Sequence, residues 1–156
     1  MPVLVSRHAP GAPALAPRWV RVVATRMLAA LDLETTELSV HLTDDAGILE
    51  LNRAHRGQDR ATDVLAFPLD AEGVVGSAAG PPLLLGDVVI SLDTAARQAR
   101  ARRRTLPQEV ASLLAHGLLH LAGYDHRTAA EQRRMNSVAR RLVATVAAVT
   151  PARKPG

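Results

Sequence analysis

The stretch from Thr105 to His126, TLPQEVASLLAHGLLHLAGYDH, decides how the rest of the chain is arranged. Thr105 and Gln108 give the Thr-x-x-Gln capping pattern, and Pro107 sits in the first turn, so a helix starts here. Val110, Leu113, Leu114, Leu118, Leu119 and Leu121 leave that helix apolar on nearly every side. Such a helix belongs in the centre of a core. Gly123 then supplies a residue that takes the left-handed conformation at a helix end and turns the chain back. Positions 116 and 120 are one turn apart, so their imidazoles face the same side. The return at Gly123 can bring His126 towards them.

Three of the six histidines lie within these eleven residues, 116–126. A histidine on an apolar helix is commonly a hydrogen-bonded core residue, but two unpartnered imidazoles in such surroundings are costly. Three neutral imidazoles with an open fourth position describe a catalytic metal centre, with zinc the natural ion. The absence of cysteine excludes disulfide frameworks, iron–sulfur clusters, thiol catalysis and cysteine zinc sites, leaving His, Asp and Glu as metal donors. The spacing H-x-x-x-H-x-x-G-x-x-H is also that of the metzincin proteases, which carry Glu after the first His as general base. Gly117 stands there and can neither accept nor return a proton. No other general base is identifiable.

Working outward, Pro17 opens a helix whose Val20, Val23, Met27 and Leu31 share one face. Leu38, Val40 and Leu42 alternate with Ser39, His41 and Thr43 as a half-buried strand. Asp44 and Asp45 lead a short helix through Ile48, Leu49 and Leu51 to near Gly57. Val64 to Phe67 reads as a strand stopped by Pro68. Residues 70–82, rich in Gly, Ala and Pro, read as a surface loop, and Leu83 to Ser91 as a third strand. Ser91 or Asp93 caps a helix running to about Arg104. Thr128 with Glu131 starts the last helix, along which Met135, Val138, Leu142, Val146 and Val149 form one apolar stripe. Strands early and helices late give an α+β fold: a small mixed β-sheet packed with about five helices, the metal site at the end of the central buried one. One domain is expected over 17–149, with 1–16 a flexible N-terminal arm and 150–156 a disordered tail.

Composition agrees with one globular unit: of 156 residues, 47% are hydrophobic and 22% charged, which excludes wholesale disorder. Trp19, Phe67 and Tyr124 are the only aromatics, too few for a platform that stacks successive bases. The formal charge is +4 and the pI about 10.9, and Lys154 is the single lysine, so 18 of the 19 basic residues are arginine. Arginine is the better phosphate binder. Prolines at 2, 10, 13 and 17 break any signal-peptide apolar core, and Leu83 to Leu92 is too short to span a bilayer. A cytoplasmic protein is expected.

HGLLHLAGYDH, 116–126, closely resembles the signature of the YbeY family of bacterial metal-dependent endoribonucleases, also called rRNA maturation factors. LNRAHRGQDRATDVLAFP, 51–68, is similar to that family's Asn-x-x-[aromatic]-Arg-x-x-Asp-x-x-Thr-Asp-Val-Leu-Ser-Phe-Pro block. LLGDVVIS, 84–91, is similar to its Gly-Asp-Ile-x-Ile strand. The resemblance covers most of 48–126 in the same order. It implies a cytoplasmic enzyme that processes ribosomal RNA, notably near the 3′ end of the small-subunit RNA, and serves ribosome quality control. It implies that His116, His120 and His126 bind Zn2+, and that Arg56 is needed for RNA binding or activity. The implied partners are ribosomal RNA and the small ribosomal subunit, with ribosomal proteins or assembly GTPases as further candidates and neither membrane nor DNA. His55 departs from the family's aromatic and Ala66 from its Ser; neither touches the metal triad.

Several other residues keep two readings. Arg56 and Arg60 flank Gly57 in a polar connection where a guanidinium can meet a phosphate bidentately, or simply be solvated. Asp63 either caps a turn or serves the site, and Asp87 is equally ambiguous. Asp125 either accepts an imidazole N–H or makes an Asx turn. Arg97, Arg100, Arg102, Arg103 and Arg104 form a solvated helix face or a patch that tracks phosphates. Arg133, Arg134, Arg140 and Arg141 read as the wet face of the last helix. The alternatives to a nuclease are a metal-stabilised, non-catalytic ribosome-assembly or RNA-binding factor and, with Gly117 against it, a metzincin-like protease. A water and a ribose 2′-hydroxyl both remain as nucleophile.

Overall fold

Alternating apolar and polar residues build one sheet in the computed structural model, which describes residues 3–56, 63–68, 84–124 and 127–151. Strands β1 (Val3–His8), β2 (Glu37–Thr43), β3 (Val64–Pro68) and β4 (Leu84–Ser91) stand in the order β1-β2-β4-β3. β1, β2 and β4 are parallel, and β3 joins antiparallel to β4. Helices α1 (Pro17–Ala30), α2 (Asp45–Arg56), α3 (Leu92–Ala101), α4 (Leu106–Leu121) and α5 (Ala129–Val146) pack around it. The fold is α+β with a small mixed sheet, as the sequence predicts. Among the described residues no helix is long and apolar enough to cross a membrane.

β1 corrects the expectation that no element precedes Pro17. The strand ends before Pro10, and Val3 and Val5 face the core while Leu4, Ser6 and His8 are exposed. Two inward positions are too short an alternation to read as a strand. The pairing that makes it one comes from β2, reached only after the α1 crossover. The expected loop 70–82 lies outside the described residues, as does 152–156 of the expected tail.

One face of the sheet carries the main core. Leu38, Val40 and Leu42 of β2 and Val88 and Ile90 of β4 meet α1 through Val20, Val23 and Met27, and α4 through Leu114 and Leu118. Met135, Val138 and Leu142 of α5 complete this cluster. On the other face α2 covers a smaller group, Ile48 with Leu65 and Val89. A register shift at Glu37/Leu38 bulges β4 where Gly86 takes φ +146°, so Leu85 stays with the main core. Trp19 Nε1 donates to the Val149 carbonyl at 3.0 Å, tying the first helix to the far end of the chain.

α3 stops at Ala101, short of the expected Arg104. Its last carbonyls are closed by Arg103 N–H on Arg100 O (3.3 Å) and Arg104 N–H on Ala99 O (2.8 Å), with Arg103 at φ +56°. That is a Schellman ending with arginine where glycine is usual. α4 begins immediately afterwards with the predicted capping box: Gln108 N–H donates to Thr105 Oγ1, and Thr105 N–H to Gln108 Oε1. Two helices therefore meet at a three-arginine corner.

Candidate metal centre

α4 is buried along most of its length, and at Gly117 it lies close against the sheet. A Cβ on Gly117 would stand 2.8 and 3.2 Å from the Cγ atoms of Val88 and 3.5 Å from Val64 Cγ2. Carbon atoms pack at about 3.5–4.0 Å, so this position has no room for a side chain. The glycine that removes the metzincin base is thus favoured by packing against Val88. His116 beside it is half-buried, and His120, one turn on, is exposed.

His116 Nδ1 lies 2.9 Å from the Ser112 carbonyl oxygen. A carbonyl only accepts, so Nδ1 carries the proton and Nε2 keeps its lone pair. This is how a backbone acceptor fixes the tautomer of a metal-ligating imidazole. The helix then ends as predicted: Gly123 takes φ +98°, Gly123 N–H donates to His120 O (3.1 Å) and Tyr124 N–H to Leu119 O (2.9 Å). Arg134 of α5 lies over the Tyr124 ring, 5.9 Å from its centroid, and steadies the start of the return. His126 and Asp125 lie outside the described residues. Among the described residues no three His, Asp or Glu side chains are grouped for a metal. The two imidazoles on α4 fit a borderline ion such as zinc in donor type and spacing, and His116 also in tautomer.

The other candidates separate clearly. The Arg56 side chain lies outside the described residues, as do Arg60 and Thr62. Asp63 Oδ1 accepts from the Val64 N–H (2.8 Å) and Oδ2 from Gln98 Nε2 (3.1 Å), and its carbonyl accepts from Ser91 N–H (3.0 Å). It holds the entry to β3 against α3. Asp87 points away from α4, since its neighbour Val88 packs on Gly117. On the face that α2 covers in part, it accepts from His41 Nε2 at 3.1 Å, while Ser6 Oγ donates to His41 Nδ1 at 2.7 Å. This Ser–His–Asp chain links β1, β2 and β4 across the sheet.

The arginine cluster divides by partner. Arg97 pairs with Asp45 at 2.8 Å. Burial alone would raise the Asp45 carboxyl, but hydrogen bonds from Ser91, Thr94 and Arg97 and the Arg97 charge outweigh it and hold the group below its ordinary range. Arg102 reaches the fully buried Glu109 at 2.6 Å, and Arg104 approaches the same carboxylate at 3.6 Å. Arg103 and Arg100 have no acidic partner among the described residues.

Residues 13–147 match the family model described as Endoribonuclease YbeY. The chain belongs to the YbeY family. It is 52% identical over 132 residues to a protein named Endoribonuclease YbeY from Anaeromyxobacter sp. strain Fw109-5, covering 85% of this chain and 65% of that one. The same-named protein of Geobacter metallireducens is 44% identical over 140 residues, with 88% of each chain covered. This chain thus spans slightly under two-thirds of the length of the Anaeromyxobacter relative. The solution structure of a Thermotoga maritima protein matches with TM-score 0.64 at 26% identity, covering 92% of this chain and 88% of that one.

In this YbeY chain the described site contains one contributor that sequence reasoning missed. The Ser112 carbonyl orients His116, and no side-chain pattern marks it, because every residue has a carbonyl. Its only sequence signal is its position four residues before a candidate ligand on a helix. Glu109 is the second omission. It stands in the first turn of an apolar helix with three arginines just upstream, and that juxtaposition was visible.

Proposed function

We propose that this chain is a zinc-dependent, single-strand endoribonuclease. We assign it to maturation of the small-subunit ribosomal RNA 3′ end and to ribosome quality control in the cytoplasm. His116, His120 and His126 hold the ion, and Arg56 neutralises charge that develops on the scissile phosphate. The observation that carries the reading is the His116 tautomer, fixed by Ser112 O at 2.9 Å in a helix that presents His120 one turn later. Family membership supports the choice of RNA as substrate.

When bound, the ion supplies Lewis-acid polarisation of a phosphoryl oxygen and lowers the pKa of a coordinated water. The chain's own part is to orient the imidazoles, the first by the Ser112 hydrogen bond and the second by its place one turn later on α4. Val88 and Val64 fix the depth of α4 at Gly117, and so the height of both histidines above the sheet. Proteolysis of the metzincin kind is disfavoured for the same reason, since a glutamate at 117 has no space.

The test combines elemental analysis with cleavage of a single-stranded RNA spanning the small-subunit 3′ end. One zinc per chain and cleavage that His120→Ala abolishes, with RNA binding retained, are expected. Metal-loaded protein that cleaves no better than His120→Ala overturns the nuclease reading and leaves a binding factor. Product ends settle the nucleophile: a 2′,3′-cyclic phosphate excludes direct attack by water.

A further inference from the structure

His116 also stands at the edge of a cleft of about 770 Å³ between α4 and α5. Gln108, Ser112 and His116 share one stripe of α4 and line one wall; from 108 to 116 the stripe runs about 12 Å at 1.5 Å per residue. Arg140 of α5 lines the other wall, and the Arg102–Arg104 corner closes the far end. The corner is built rather than frayed. Glu109, 0% exposed, draws in Arg102 at 2.6 Å and Arg104 at 3.6 Å. Between them Arg103, at φ +56°, has no acidic partner among the described residues. Four arginines line this cleft, and with the one buried carboxylate behind the corner they leave it a net charge of +3.

We propose that this cleft is a subsite for the single-stranded RNA backbone, leading away from the metal centre, with Arg103 and Arg140 as its phosphate contacts. The proposal rests on the RNA-cleaving reading above. No aromatic side chain lines the cleft, so the strand is held through charge rather than base stacking, and binding there is indifferent to sequence. Continuity with His116 favours RNA over an acidic protein, because the same wall carries both the arginine corner and the candidate ligand. Glu109 acts as a positioning residue: it holds the two flanking arginines and leaves the third outward.

The experiment measures fluorescence anisotropy of labelled single-stranded oligo(U) and oligo(A) RNA, and of a labelled poly-glutamate peptide, over a series of salt concentrations. The full chain is compared with Arg103→Gln, Arg140→Gln, the double variant, and Arg133→Gln on α5 outside the cleft. Unfolding midpoints confirm that each variant is folded. Each cleft substitution should weaken both RNAs roughly tenfold, as expected for loss of a charged hydrogen bond. Each should also make the slope of log K against log salt shallower by about 0.7, with about double that for the pair. Arg133→Gln should change neither. Wild-type affinity and slope in the double variant overturn the proposal while leaving RNA as substrate. No RNA binding by the unmodified chain overturns both. A cleft-dependent loss seen with poly-glutamate but not with RNA overturns the proposal in favour of an acidic protein.

Discussion

Replacing Gly117 with alanine tests whether packing dictates the glycine beside the first candidate ligand. In an unobstructed helix the change would stabilise by about 1 kcal/mol, because alanine has the higher helix propensity. Here the new Cβ would stand 2.8 Å from Val88 Cγ1 and 3.2 Å from Cγ2. The nearer contact falls about 0.7–1.2 Å short of a comfortable carbon–carbon separation. Val88 is 0% exposed and held in β4 between two neighbouring strands, and a β-branched side chain has little rotamer freedom with which to yield. Overpacking of this kind costs about 1–3 kcal/mol. The net expectation is a loss near 1 kcal/mol, or a melting temperature about 2–4 °C lower for a chain of this size. Thermal unfolding followed by far-UV circular dichroism measures it. In a Val88→Ala background, where both Cγ atoms are gone, the same Gly117→Ala change should stabilise, and the difference between backgrounds is the coupling energy. A rise in melting temperature of Gly117→Ala in the unmodified chain, or the same shift in both backgrounds, refutes the close approach. Gly117→Glu, which would restore the protease base in sequence, should fail to give stable protein.

Asp45 gives a pH prediction. Its folded pKa lies below the ordinary 3.8, so its contribution is complete above that value and is lost as pH falls through the lower folded one. Asp45→Asn should therefore lower the urea midpoint at neutral pH and flatten its decline in acid; parallel acid limbs for the two proteins would contradict this. Glu109→Gln should cost about 1–3 kcal/mol by urea unfolding, through loss of the charge-assisted bond to Arg102. An unchanged midpoint would show that Glu109 does not anchor the corner. Trp19→Phe should cost about 1 kcal/mol, because the Val149 carbonyl loses its donor. Equal stability would mean that this bond is replaced by solvent at no net loss.

What could be read in the sequence was whatever local spacing determines. The capping box at Thr105, the buried helix, the His116–His120 pair and the glycine at 123 all depend on offsets of three or four residues. All appear in the structure as spaced. What could not be read depends on partners distant in the chain. Val3–His8 has too few inward residues to declare itself and becomes a strand only beside β2. Asp63, Asp87 and the arginines have similar surroundings in sequence, yet Asp63 ties the entry of β3 to α3, Asp87 faces the far side of the sheet, and the arginines sort by which carboxylate they reach.

Gly117 shows why the two kinds of reading complement each other. From spacing alone it looked like the loss of a catalytic group. The sheet beneath it makes it the residue that sets the depth of α4, because any Cβ would push the helix off Val88. His116 and His120 flank this contact on the same helix, so a shift there would move both imidazoles together relative to β3 and β4. A site built this way cannot recruit a base at position 117 without surrendering its own geometry. If it hydrolyses a phosphodiester, the proton acceptor must therefore come from elsewhere, or from the substrate's own 2′-hydroxyl chemistry. Product-end analysis of a cleaved RNA tests that inference directly.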